Sequence, residues 1–570
     1  MTPRLRRGAS LVFALVLLTL AAGATHAGAA PSRVLIEGSG SSWASNALNV
    51  WIAGVKQNSL KVVFTSTGSA QGRKDFGNET TDFGVSDIGY QGKDPQTNDT
   101  DLPCKLGSTT DCRDYAYLPI VAGGTSFPYH LEVAGKLVRN LRLSGTTLAK
   151  IFTGGITNWN DKAITRDNNG RRFPSIPIIP ISHAEGSGSS AQFTAYLDQQ
   201  YPSIYRPFVG GPGETEYFKP PPNGKKQTGS DGVINFITSS AANGSIGYDE
   251  YSYALAKNYP VAKIENAAGY YTLPTQFNVA VALQRAKINE NKASKDYLLQ
   301  DLRSVYTFND PRTYVLSSYS YMIIPTAKDD SRMSTGKRQT LADFIYYSVC
   351  QGQAQVGPVG YSSLPLNLVQ ASFNQVAKLK QADPKVDLTR RDVTACNNPT
   401  FVKGNLRANH LAQIAPKPAP CDRDGAGPCT GSGDSGTSGR PGRSDAGSSG
   451  SGGSGGAGGS GGSGGSSGGG AGGSATGTGG TAGGAAGAAG AGVTTRVNPD
   501  TGQVETVAAA GTSGDGSGGD VTGVPTDLAS ARPESMTDVL GPLAALEVLV
   551  VLILPPVLYY LVLRRRGSTS

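Results

Sequence analysis

The sequence holds no C-x-x-C pair, and beyond residue 30 its only histidines are His130, His183 and His410. Metal sites of the usual spacing need clustered Cys and His, so no metal and no other cofactor is expected. A Gly-x-Ser-x-Gly elbow is also missing: in Gly186-Ser187-Gly188-Ser189-Ser190 a serine stands where the final glycine belongs. Without that strained turn, and with no paired-carboxylate motif, neither a hydrolase nor any other enzyme is expected. A basic stripe is lacking as well. The formal net charge is +8, but three arginines lie in the first seven residues and three at 564–566, which leaves about +2 between them. Nucleic acid is therefore not an expected partner. No cysteine follows the apolar run at the N-terminus, which excludes a lipid anchor at that point.

What is present at the two ends reads as export and anchoring. Arg4, Arg6 and Arg7 precede an apolar run over 11–22 and the small-residue triplet Ala27-Gly28-Ala29, the pattern of a signal peptide over 1–29. Residues 539–563 are almost wholly apolar and run directly into Arg564, Arg565 and Arg566. That length suits a single membrane-spanning helix, and the arginines place the 564–570 tail in the cytoplasm and the rest outside. Glu547 and Pro555-Pro556 interrupt the span. Residues 425–537 form a linker. From Gly425 to Gly523 it is Gly, Ser, Ala and Thr with scarcely any large apolar side chain, so ordering it would cost backbone entropy and bury little in return. As a random coil, about 100 such residues span roughly 50–60 Å between their ends.

All six cysteines lie between these ends in an exported chain, so disulfides are expected. Of the fifteen possible pairings, Cys104 with Cys112 and Cys421 with Cys429 close short loops, which leaves Cys350 with Cys396.

Residues 30–396 have the apolar and aromatic content of a folded domain, followed by a disulfide-bearing extension over 397–424. Val34-Leu35-Ile36 reads as a buried strand, Gly38 and Gly40 as a loop, and Ala44, Leu48, Trp51 and Val55 as one face of a helix. The order recurs at Ile178-Ile179-Pro180-Ile181, the glycine-serine loop 185–190, and Phe193, Tyr196 and Leu197. Strand and helix signals alternate onward through Val315 and Ile324, and 341–347 reads as helix, so an α/β architecture with parallel-rich sheets is expected. Ser41, Ser42, Ser187, Ser189 and Ser190 sit at predicted helix starts. There, unpaired N–H groups and the helix dipole favour an oxyanion, although serine is also an ordinary cap.

A third segment brings these together: Thr65-Ser66-Thr67-Gly68-Ser69-Ala70-Gln71-Gly72-Arg73-Lys74, then Asp82-Phe83-Gly84-Val85-Ser86-Asp87. The set resembles the substrate-binding subunit of ABC phosphate importers. The likeness runs in order from about Val34 to Pro365 and takes in Ser144-Gly145-Thr146-Thr147-Leu148, Ile156-Thr157-Asn158-Trp159-Asn160-Asp161, Gly229-Ser230-Asp231-Gly232-Val233 and the segment 244–251. The resemblance implies a two-lobed type II periplasmic-binding-protein fold. Lobe one would be about 33–120 with 314–396, and lobe two about 121–312, with the cleft closing on ligand by hinge motion.

It also implies that inorganic phosphate or a similar oxyanion is held by Ser42, the backbone of Trp43, Ser69, Asp87, Ser187, Gly188 and Ser189. The implied partner is an ABC permease. Asp87 would accept the proton that phosphate retains near neutral pH and sulfate does not. Where the family carries an arginine four residues before the first serine of the last loop, this chain has His183, with Glu185 as the accompanying acid. The cation would then be His183, protonated beside Glu185, or Arg73 swung in from the second loop. A surface scaffold or adhesin using the same fold is the competing expectation, since the long tether and membrane tail suit either.

Overall fold

The computed structural model describes residues 33–93, 97, 100–389, 391–405 and 408–429, with the backbone of Thr494–Val497 and Val504–Val507. The expected signal peptide, membrane helix, cytoplasmic tail and most of the linker lie outside these residues. The chain divides into two compact units, Met1–Ala508 and Ala509–Ser570, and the second is wholly outside them. Among the described residues no helix is long and apolar enough to cross a membrane.

One sheet organises the first lobe. Its six strands run in the order Asp249–Glu250, Tyr115–Ser126, Ser317–Pro325, Phe83–Ser86, Ile36–Gly40 and Val62–Ser66. Ile36–Gly40 is parallel to both neighbours, with Gly38 opposite Phe64 on one side and Phe83 on the other. Ser317–Pro325 runs antiparallel between Phe83–Ser86 and Tyr115–Ser126, with a register shift at Ser320/Tyr321. The sheet is thus mixed rather than parallel-rich, because this long strand returns from the second lobe and must re-enter against the direction of its neighbours.

The second lobe carries two smaller sheets. Lys225–Gln227, Ile179–His183 and Ser245–Gly247 are parallel, with Ile181 opposite both Lys225 and Gly247. Tyr271–Thr272, Lys263–Glu265 and Arg142–Leu143 form the other.

The first strand begins two residues later than the apolar run suggests: Leu35 is 43% exposed, and Gly38 and Gly40, read as loop, are within the strand. The close approach of Phe83–Ser86 explains both glycines. A Cβ at Gly38 would sit 2.2 Å from the Phe83 ring, and one at Gly40 2.0 Å from the Val85 carbonyl; Gly40 also has φ of +140°, which disfavours any side chain. The following helix, Ser45–Lys56, buries Leu48, Trp51 and Val55 as the spacing predicts. Ser187 caps the helix Gly188–Gln200, whose Phe193, Tyr196 and Leu197 are buried, and the segment 341–347 lies inside the helix Thr335–Val349. Trp43, Trp51 and Trp159 are each at most 2% exposed, and burying a large apolar side chain of this kind contributes about 1.5–3 kcal/mol.

The three disulfides are Cys104–Cys112, Cys350–Cys396 and Cys421–Cys429. Beyond Cys396 the chain crosses from one lobe to the other. Asn398 and Thr400 donate to the Leu364 carbonyl at 2.9 and 2.7 Å, Leu411 and Ala412 pack on Ala280 and Val281, and Asp422 pairs with Lys263 at 2.8 Å. Arg142, stacked over Tyr271 at 4.0 Å, donates to the Arg423 carbonyl. The structure amends the linker reading at two points. Residues 425–429 belong to this ordered extension, closed by Cys421–Cys429, and Thr494–Val497 pairs antiparallel with Val504–Val507. The paired stretches, Thr-Thr-Arg-Val and Val-Glu-Thr-Val, are richer in threonine and valine than the Gly/Ser/Ala-rich span around them, and β-branched residues favour extended pairing.

Candidate functional site

The carboxyl ends of the first-lobe strands and the first turn of the Gly188–Gln200 helix meet at Asp87. Ser41 donates to Asp87 Oδ1 and Oδ2, both at 2.8 Å, and Ser69 donates to Oδ2 at 3.1 Å. From the second lobe, Gly188 approaches so closely that a Cβ there would lie 2.5 Å from Asp87 Oδ2 and 2.7 Å from Ser69 Oγ. Glycine is the one residue that fits. The lobes are also joined by a backbone hydrogen bond from Ala70 N–H to the Gly186 carbonyl at 3.1 Å. Burial raises the Asp87 carboxyl above the ordinary range, against the lowering effect of hydrogen bonds from Ser320, Ser41 and Ser69 and of the Arg73 charge.

The other predicted residues are buried in the same lobes. Ser42, Ser69, Ser187 and Ser189 are all buried. Ser187 accepts from the Ser190 N–H at 3.4 Å, so it caps its helix, while the first N–H groups of such a helix stay outside the helical ladder. Trp43 is locked in place: its indole N–H donates to Thr125 and its carbonyl accepts from the Tyr361 hydroxyl at 2.6 Å. Beside Asp87 a cavity of about 380 Å³ is lined by Gln192, Gln300, Tyr306 and Tyr321 among others, which gives the site a mouth.

His183 is fully buried, with Nδ1 2.9 Å from Glu185 Oε1 and Nε2 3.2 Å from the Tyr248 carbonyl oxygen. Both partners can only accept, so both ring nitrogens are satisfied together only in the imidazolium form. Burial pushes the pKa down, but the hydrogen bond and charge of Glu185, with smaller contributions from Asp249 and Tyr248, carry the net shift upward. Glu185 responds in the opposite sense. Burial raises it, the His183 partner and the Gly229 N–H lower it, and the net shift is downward.

Arg73 is placed differently from the expectation that it swings in as the cation. Its Nε donates to Asp101 at 2.8 Å, Nη1 to Ser86 at 2.7 Å, and Nη2 to both Glu216 oxygens at 2.9 and 2.8 Å. A guanidinium shared by two carboxylates at full burial is held rigidly, and its charge reaches Asp87 only through space.

Three residues outside the predicted set belong to the constellation. Ser230 donates to Ser42 Oγ from its hydroxyl at 3.0 Å and from its N–H at 3.3 Å. Glu216 reaches across to Arg73, and Asp249 lies fully buried beside Ser230. Ser230 had a readable signal, a glycine-serine pair opening a helix like the other loops; Asp249 lay within the resembling segment 244–251 with no chemical signal of its own, and Glu216 had none.

The geometry is a buried set of hydroxyls and helix-start amides near the Asp87 carboxyl, in an α/β two-lobed binding-protein fold. The family model described as the PBP superfamily domain matches residues 23–351. A phosphate-binding protein PstS of Methanocaldococcus jannaschii is 25% identical over 362 residues, covering 62% of this chain and 88% of that protein. Phosphate-binding protein PstS 2 of Mycobacterium tuberculosis is 30% identical over 351 residues, covering 60% and 85%. The chain belongs to the PBP superfamily and, within it, to the family of these phosphate-binding proteins.

Proposed function

We propose that this chain is an extracytoplasmic receptor that captures inorganic phosphate between its lobes and delivers it to an ABC permease, with no chemical step of its own. The carrying observation is Asp87: a buried carboxyl that accepts from Ser41 and Ser69 and is closely approached by Gly188 from the other lobe. Such an acceptor is of use to an anion that keeps a proton, and it repels one that does not. The names of the relatives support the same ligand. Ser42, the Trp43 backbone, Ser69, Asp87, Ser187, Gly188 and Ser189 are the proposed contacts, and the His183 imidazolium takes the cationic place beside Glu185 while Arg73 supports the loop.

The segments outside the described residues complete the reading. Residues 1–29 direct export, 539–563 span the cell membrane once with the binding domain outside and the C-terminus in the cytoplasm, and 425–537 tether one to the other. Calorimetric titration of the purified full-length protein with phosphate and with sulfate, from pH 5.5 to 8, tests the ligand. Phosphate is expected to bind and sulfate to bind far more weakly; no heat with phosphate anywhere in that range refutes the reading.

A further inference from the structure

Asp249 stands where the chain passes between lobes: Ser245–Gly247 pairs in a second-lobe sheet, whereas Asp249–Glu250 joins the edge of the central sheet, with Asp249 opposite Ser126. The residue is fully buried. Its Oδ1 accepts from the Glu250 N–H at 2.8 Å, and Oδ2 is buried without a hydrogen-bond partner. An ionised carboxylate there would leave a negative oxygen orphaned in the interior, a state that burial disfavours.

The groups facing it are His183 from the strand Ile179–His183, Ser230 and Asp231 from the helix Gly229–Ile237, Glu250 beside it and Tyr253 beyond. Burial dominates and raises the carboxyl to about 8, with Asp231 adding to the rise and His183 and Ser230 opposing it. Burial thus favours the neutral acid, and with Oδ1 taken by the Glu250 N–H, the free position for its proton is Oδ2.

The hydroxyl whose hydrogen bonding acts on this carboxyl is Ser230, which directs its own hydrogen at Ser42 Oγ, 3.0 Å away. The Ser230 N–H points at the same oxygen from 3.3 Å. Two incoming donors leave Ser42 free to use its own hydrogen on a bound anion. Tyr253 meanwhile donates to the Ser42 carbonyl at 2.6 Å, so Ser42 is gripped from the segments on both sides of Asp249.

We propose that Asp249 is a positioning residue of the anion site: as a neutral acid it donates to Ser230 and sets the order Asp249 to Ser230 to Ser42 to anion. Ionised, it accepts from Ser230 instead, turns that hydroxyl away from Ser42 and loosens both the donor order and the contact between lobes. The inference rests on the reading of the cleft as an oxyanion site.

Titration of the full-length protein and its Asp249→Val and Asp249→Asn forms with inorganic phosphate, from pH 6.5 to 9, separates the possibilities. The valine form, which has no donor, is expected to bind at least about tenfold more weakly at pH 7, and the asparagine form, whose amide keeps one acceptor and one donor, to recover most of that loss. The ratio of asparagine-form to unaltered affinity is expected to rise by about fivefold or more from pH 7 to 9, since the amide cannot ionise and the ligand's own titration cancels. Phosphate binding with a flat ratio, or an asparagine form as weak as the valine form, overturns the proposal alone. Absence of binding by the unaltered protein overturns the reading of the cleft and the proposal with it. The carbon-13 signal of the Asp249 carboxyl in ligand-free protein gives an independent check: titration above pH 7 is expected, and a midpoint below 6 overturns the proposal.

Discussion

Arg73 and Glu216 lie on opposite lobes and are joined by a two-pronged ion pair, Nη2 standing 2.9 and 2.8 Å from the two carboxylate oxygens, with Arg73 fully buried and Glu216 4% exposed. The same Glu216 accepts the Ser187 N–H through its main-chain carbonyl at 2.9 Å. Closure of the lobes and placement of the last serine loop therefore share one residue. Glu216→Ala leaves a buried guanidinium with only Asp101 as its carboxylate partner. Breaking a buried pair from one side costs on the order of 3–5 kcal/mol. Urea denaturation is expected to show a loss of that order, together with weaker anion binding.

Asp87 is surrounded by donors, so it discriminates by what it cannot donate. Asp87→Asn supplies an N–H toward the ligand and removes a charge, which is expected to lower phosphate affinity by about 10- to 100-fold, the worth of one charged hydrogen bond, and to raise sulfate affinity. Competitive titration with the two anions checks the pair of changes; an unaltered phosphate-to-sulfate preference contradicts the role.

His183 makes a pH prediction whose sign follows from its raised pKa. The imidazolium is fully formed below the unperturbed value of about 6.5 and is lost as pH rises through the folded value. Its contribution to stability and to anion affinity is thus present in acid and fades in alkali. His183→Gln is expected to bind more weakly than the unaltered protein at pH 6, with the two converging as pH rises. A gap that widens with pH runs against the assignment.

Cys350–Cys396 closes a loop of separation 46 and pins the start of the extension that crosses the lobes. Loop-closure entropy for that length corresponds to about 4 kcal/mol. Replacing both cysteines by serine is expected to lower stability by roughly 2–4 kcal/mol and leave the phosphate-to-sulfate preference intact. Thermal melting and titration report the two separately.

Much of the site could be read from local signals because a glycine-serine loop before an amphipathic run announces a helix start. Ser42, Ser69 and Ser187 to Ser189 all carried that mark; of these, Ser69 and Gly188 are brought against Asp87, and the serines are buried. Ser230 carried it too. Gly38 and Gly40 misled for a related reason: glycine signals a loop, yet here it serves the close approach of a neighbouring strand, which depends on Phe83 and Val85 more than forty residues away.

By itself, then, the chain's order of residues determined the α/β character, the buried faces of the helices spanning Ser45–Lys56 and Gly188–Gln200, and the chemistry offered at each helix start, because these depend on neighbours within a few positions. Tertiary structure alone decided the fate of the charges. Arg73 is held by Asp101 and Glu216, His183 by Glu185 and the Tyr248 carbonyl, and burial raises the Asp249 carboxyl. A side chain's charge state depends on the water removed and the partners supplied in three dimensions; Glu185 lies two residues from His183, but the Tyr248 carbonyl and the Glu216 partner of Arg73 come from far along the chain.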